Sequence, residues 1–129
     1  MQRRAFFTTQ LAALLATQTA RAQPKSQTIL LQTSPVAGFQ YHKGEALWPR
    51  LAAGQPLTLV REPQNPYDQR AVRIEWRGCK IGYIPRLDNA AISQLLDRGQ
   101  PLTAAIEKMQ QSDNPWRRLR VAIRLAASG

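Results

Sequence analysis

Arg118, Arg120 and Arg124 occupy alternate positions around the segment LRVAIRLA, and Tyr41, Tyr67, Tyr83 and Trp116 stand among basic residues at strand ends or in loops. Cations that follow phosphates, with rings that stack on bases, form the combination that holds single-stranded nucleic acid, at about 1–3 kcal/mol per stacked base. The arginine row has a second reading. Outward positions on a half-buried strand must be polar, and alternate arginines serve simply to solvate that face. The stretch REPQNPYDQR (61–70) has the composition of a turn. Pro66 suits its second position, Asn65 can close an Asx-type turn over it, and Asp68 can accept from nearby backbone N–H groups. Such a turn requires no tyrosine, yet Tyr67 falls at its tip, between Arg61 and Arg70.

Hydrolytic or redox chemistry has little to work with. The eight acids are scattered and mostly adjoin basic residues, His42 is the only histidine, and Cys79 is the only cysteine. Neither a carboxylate pair, nor a nucleophile with its base, nor a metal-ligand cluster is visible. The chain therefore reads as non-enzymatic, without metal or cofactor. A single thiol also makes no internal disulfide, so packing must supply the stability.

The formal net charge is +10 over 129 residues. That length holds one small domain. Arg3 and Arg4, the apolar run FFTTQLAALLA, and Ala20 and Ala22 either side of Arg21 form an export-signal pattern over residues 1–22. RRAFF also has the paired arginines and apolar follow-on of a twin-arginine signal, which predicts a bacterial protein exported to the periplasm with no lasting membrane span. Beyond residue 22 the balance is fifteen basic to eight acidic side chains, or +7, and eleven of the fifteen are arginine. The partner expected is anionic, met by planar, bidentate contacts.

These groups need elements to position them. Residues 23–27 read as a flexible lead, 28–126 as the domain and 127–129 as a tail. Strand patterns cover TILLQT, VAGFQY (36–41), PLTLVRE, AVRIEWR, CKIGYI and LRVAIRLA. In AVRIEWR, Val72, Ile74 and Trp76 share one face, while Arg73, Glu75 and Arg77 share the other. Gly78 turns this strand into its hairpin partner, in which Gly82 marks a bulge or a close approach. LTAAIEKMQ fits strand or helix equally, with QSDNPWRR as a loop before the last strand. A short helical turn is expected over about 43–51, anchored by Leu47, Trp48 and Leu51. The main helix is expected over about 87–98, with Leu87, Ala91, Ile92, Leu95 and Leu96 as its apolar stripe. The fold predicted is mainly β, a small barrel of five or six strands with one main helix.

VAGFQYHKG, LVREPQNPYDQRAVRI and GCKIGYIPR resemble, in order and spacing, the HIRAN domain, over about residues 28–126. The resemblance implies a modified OB-like β-barrel and, from the family's eukaryotic module, binding of the 3' end of single-stranded DNA. By position, Tyr41 and Tyr67 correspond to aromatic residues that contact bases near the end, and Asp68 to the carboxylate at the terminal hydroxyl. A carboxylate beside DNA needs a donor, and a free 3' hydroxyl is one. Asn65 would shape the pocket, Arg86 falls at a phosphate-contacting lysine, and Trp116 is a further stacking candidate. Gln40 stands where DNA-binding members carry arginine, and Tyr83 where they carry histidine. No helicase or ubiquitin-ligase segment accompanies the motif, so neither activity is implied. The export pattern supports an alternative: an OB-type periplasmic or envelope protein for another anionic ligand, whether glycan, lipid headgroup or acidic protein.

Overall fold

The computed structural model describes residues 27–126. The expected export segment, all but the last residue of the lead, and the tail lie outside the described residues. Six strands form one antiparallel sheet: β1 (Thr28–Pro35), β2 (Pro56–Glu62), β3 (Ala71–Trp76), β4 (Cys79–Tyr83), β5 (Leu102–Met109) and β6 (Leu119–Ala126). Their order is β1-β6-β5-β2-β3-β4. This is the mainly β, OB-like architecture the sequence predicts. The sheet is not closed into a full barrel, and β1 and β4 are its edges. One bridge links the two ends: just after β1, Ala37 exchanges hydrogen bonds of 2.8 and 2.9 Å with Tyr83 of β4.

The β3–β4 hairpin follows directly from its sequence. Val72, Ile74 and Trp76 are buried, while Arg73 and Glu75 on the other face are partly exposed. Trp76 pairs with Cys79 across Arg77 (φ 49°) and Gly78 (φ 81°). Two successive left-handed residues give the two-residue turn whose twist matches that of the strands. The ambiguous 102–110 segment becomes β5 because it has a partner: it pairs with β6 from Leu102↔Leu125 to Met109↔Leu119, burying Ala104 and Ile106.

Two expectations are corrected. Residues 36–41 do not form a strand: Gly38 (φ 75°) turns the chain, and Phe39–Tyr41 make a 3-10 turn. That turn drives Phe39 into the core, edge-on to Trp48 at 5.9 Å, and leaves Tyr41 79% exposed. The main helix is shorter than 87–98. A 3-10 turn at Arg86–Asp88 precedes it, and the helix, α2, covers Ala90–Asp97. Leu87 is 96% exposed and takes no part in the stripe, which rests on buried Ile92 with Leu95 and Leu96 partly buried. The buried residue ahead of the helix is instead Asn89, a polar one. The helical turn expected at 43–51 is present as α1 (Gly44–Leu47) running into a 3-10 turn at Trp48–Arg50. Leu51 is buried beside it, and Leu47 and Trp48 pack on the core. No helix among the described residues is long and apolar enough to cross a membrane.

Gly82 is both bulge and close approach. The β3–β4 register shifts beside it, between Ile74 and Glu75. A Cβ at Gly82 would lie 2.4 Å from Val36 Cγ1 and 2.5 Å from the Ala37 carbonyl oxygen, at a backbone φ of +155°. Gly82→Ala should therefore separate the bridge between Ala37 and Tyr83. Overpacking of this kind costs about 1–3 kcal/mol, and a lowered midpoint in urea unfolding would record it. An unchanged midpoint would mean that the approach is not tight.

Candidate functional site

The turn at 63–70 is braced from within. Asn65 Oδ1 accepts from the backbone N–H groups of Tyr67 at 2.8 Å and Asp68 at 3.2 Å, and Asp68 Oδ1 accepts from Arg70 N–H at 3.0 Å. These are the Asx-type bonds its composition predicts. Tyr67 stands at the tip, 83% exposed.

Glu62, at the end of β2, ties this turn to the sheet. Its Oε1 accepts from Asn65 Nδ2 at 3.0 Å and from the Tyr83 hydroxyl at 2.9 Å, while Oε2 receives Arg73 at 2.5 Å. Arg73 is held again by Glu75 at 2.8 Å. Asp68 Oδ2 accepts from Asn89 Nδ2 at 2.8 Å, and Arg86 Nε lies 3.9 Å from the same oxygen. Arg86 also donates to the Tyr67 carbonyl. Three segments distant in sequence thus meet at two carboxylates.

The result is an open cleft of about 1030 Å³. Tyr41, Asn65, Tyr67, Asp68 and Arg86 all line it, together with His42, Glu62, Arg73, Lys80 and Tyr83. The other expected residues lie elsewhere. Trp116, 48% exposed, lines a separate depression with Lys108, Arg117 and Arg120, although its turn packs beside Phe39–Tyr41. Arg118, a phosphate-contact candidate by sequence, is engaged by Glu45 and by the Ser112 carbonyl at 2.8 Å. Arg120 and Arg124 are exposed on β6 and do not line the cleft. Arg61 pairs with Asp97 at 2.9 Å and holds β2 to α2.

Residues 29–128 match the family model of the HIRAN domain. The chain belongs to the HIRAN domain family. It is similar to a Lactobacillus plantarum protein of known crystal structure, at 28% identity and TM-score 0.67, over 80% of this chain and 100% of that one. The crystallised HIRAN domain of human HLTF shares the fold, at 17% identity and TM-score 0.58, over 76% of this chain and 78% of that one. No curated protein matches the chain.

Sequence reasoning missed several lining and supporting groups of this HIRAN cleft. Arg73 reads only as an outward position on its strand, and Glu62 and Asn89 carry no local signal of a role. Asn89 makes no cap bond and instead spends its amide on Asp68. Burial pushes both carboxyls upward, but their donors prevail. Asn65, Tyr83 and Arg73 hold Glu62 below its usual range. The Arg70 N–H, the Asn89 amide and the charges of Arg86 and Arg70 do the same for Asp68. Burial lowers His42 in turn, and Lys80 lowers it further against the pull of Glu62.

A carboxyl depressed by folding contributes stability above its unfolded value, near 4, and loses it as pH falls through the lower folded value. Thermal stability should thus decline on acidification below about pH 4. Glu62→Gln should lower stability at neutral pH by about 1–3 kcal/mol, the scale of a lost charge-assisted hydrogen bond, and should flatten the acid limb. Scanning calorimetry across pH checks this; parallel curves for variant and wild type would refute it.

Proposed function

We propose that this HIRAN protein is a non-enzymatic module that binds single-stranded nucleic acid, DNA by preference, and takes a free 3' end into the cleft. The observation that carries this reading is the pairing of two rings, Tyr41 and Tyr67, 79% and 83% exposed, on one cleft that also holds the Asp68 carboxylate. Rings so open to water gain by stacking on a flat, apolar base face. Asp68 repels phosphate, so it favours the one part of a strand that offers a donor, a terminal hydroxyl. Each Asp68 oxygen already accepts one hydrogen bond. A carboxylate has about four acceptor sites in all, which leaves capacity for that hydroxyl.

Arg86 completes the arrangement. Its side chain is 65% exposed while one edge is committed to Tyr67 and Asp68, leaving N–H groups for the last phosphate. Asn65 supplies no ligand contact in this account; it fixes the turn that presents Tyr67 and Asp68. Trp116, on the turn beside Tyr41, is placed to stack a base further along the strand, with Arg120 and Arg124 as more remote phosphate contacts. Residues 1–22 would deliver the protein to the bacterial periplasm.

Fluorescence anisotropy tests the reading. Wild type should bind a single strand with a 3' hydroxyl more tightly than the same strand with a 3' phosphate, and Asp68→Asn should erase that preference. Tyr67→Ala should weaken both by about 1–3 kcal/mol, the value of one stacked base. Equal binding of the two ends by wild type contradicts end recognition. Binding of an anionic glycan or lipid headgroup, with none of either strand, would favour the other anionic partners.

A further inference from the structure

A second depression, of about 500 Å³, adjoins the cleft and shares Tyr41, His42 and Lys80 with it. The two differ in charge. The first holds two carboxylates, Glu62 and Asp68, and its Arg73 is consumed by Glu62 and Glu75. The second is lined by Tyr41, His42, Lys43, Gly78, Cys79 and Lys80, with no acid among them. Its two ammonium-bearing segments are tied by the Lys43 N–H donating to the Lys80 carbonyl at 3.2 Å.

Resting on the reading of the cleft above, we propose that this second depression is a phosphodiester subsite. Lys43 and Lys80 receive the phosphate on the 5' side of the nucleotide stacked on Tyr41. Lys80 stands at the junction of the two depressions, so a strand leaving the cleft past Tyr41 meets it first. Its ammonium contacts the Tyr83 hydroxyl at 3.3 Å and lies 5.1 Å from the centre of that ring. Of its three donors, that leaves two for a phosphate. The side chain of Lys43, an exposed residue, makes no hydrogen bond or ion pair among the described residues. The strand's direction follows: hydroxyl at the acidic end, backbone continuing towards the lysines.

The test uses two thymidine strands with free 3' hydroxyls, one of eight nucleotides and one of two, titrated into wild type and K43Q/K80Q while tyrosine NMR signals are followed over a range of salt. The two-nucleotide strand has no phosphate beyond the Tyr41 position. On the longer strand, the double variant should reduce the slope of log affinity against log salt by about 0.7, the value for one phosphate neutralised on a single strand. On the shorter strand the slope should not change. An unchanged slope on the longer strand, while Tyr67→Ala still weakens binding, removes the lysine subsite and leaves the cleft reading intact. An equal reduction on both lengths also overturns it, because a general change of charge acts on either strand. Failure of wild type to bind either strand overturns the cleft reading and the subsite with it.

Discussion

The carboxylate of Glu62 accepts hydrogen bonds from three separate parts of the chain: the 63–70 turn through Asn65, β4 through Tyr83, and β3 through Arg73. A partly buried carboxylate is costly unless its lone pairs are met. Here that constraint works in the site's favour, since satisfying Glu62 forces the turn to lie over the β3–β4 hairpin. Asn65 passes the restraint on. Its amide nitrogen is spent on Glu62, so its oxygen is directed at the N–H groups of Tyr67 and Asp68. The exposed ring and the acceptor are therefore positioned by bonds that neither of them makes.

This economy of polar groups also limits what the net charge means. A basic chain invites the view that its arginines form a phosphate-binding surface. Several of them are occupied: Arg61 with Asp97, Arg73 with Glu62 and Glu75, Arg118 with Glu45. The guanidiniums of Arg50 and Arg77 lie 5.3 and 4.7 Å from the ring of Trp76, covering that buried side chain. Beside the cleft, the cations left for a ligand are Arg86, Lys43 and Lys80, while Arg120 and Arg124 stay exposed on β6 away from it. A polyanion is then aligned by where the charge is left over, not by its total.

How much of this was legible in the sequence depended on the range of the forces involved. β3 and β6 could be read from alternation because each is half-buried, and the Arg77-Gly78 turn because left-handed backbone has a compositional signature. The Asx bonds of 63–70 span two or three residues and were visible in its composition. Residues 36–41 misled because apolar alternation cannot register that Gly38 reverses the chain. Leu87 misled because it completes a helical stripe by spacing, whereas the chain there is still in the turn that carries Arg86 to Tyr67. Tyr41, Tyr67, Asp68 and Arg86 came as a set only through the family motif. Glu62 with Tyr83, and Asp68 with Asn89, are joined across 21 residues each, and no local pattern encodes such pairs.

The central claim is that one cleft, organised by Glu62 and Asn65, takes a strand end with Asp68 at its terminus. A crystal structure of the protein with a short single strand bearing a free 3' hydroxyl tests it most directly. The account predicts the terminal oxygen within hydrogen-bond distance of an Asp68 carboxylate oxygen, with bases against Tyr41 and Tyr67 and the strand leaving past Lys80. A strand lying instead along Arg120 and Arg124, with no nucleotide between Tyr41 and Tyr67, would contradict it.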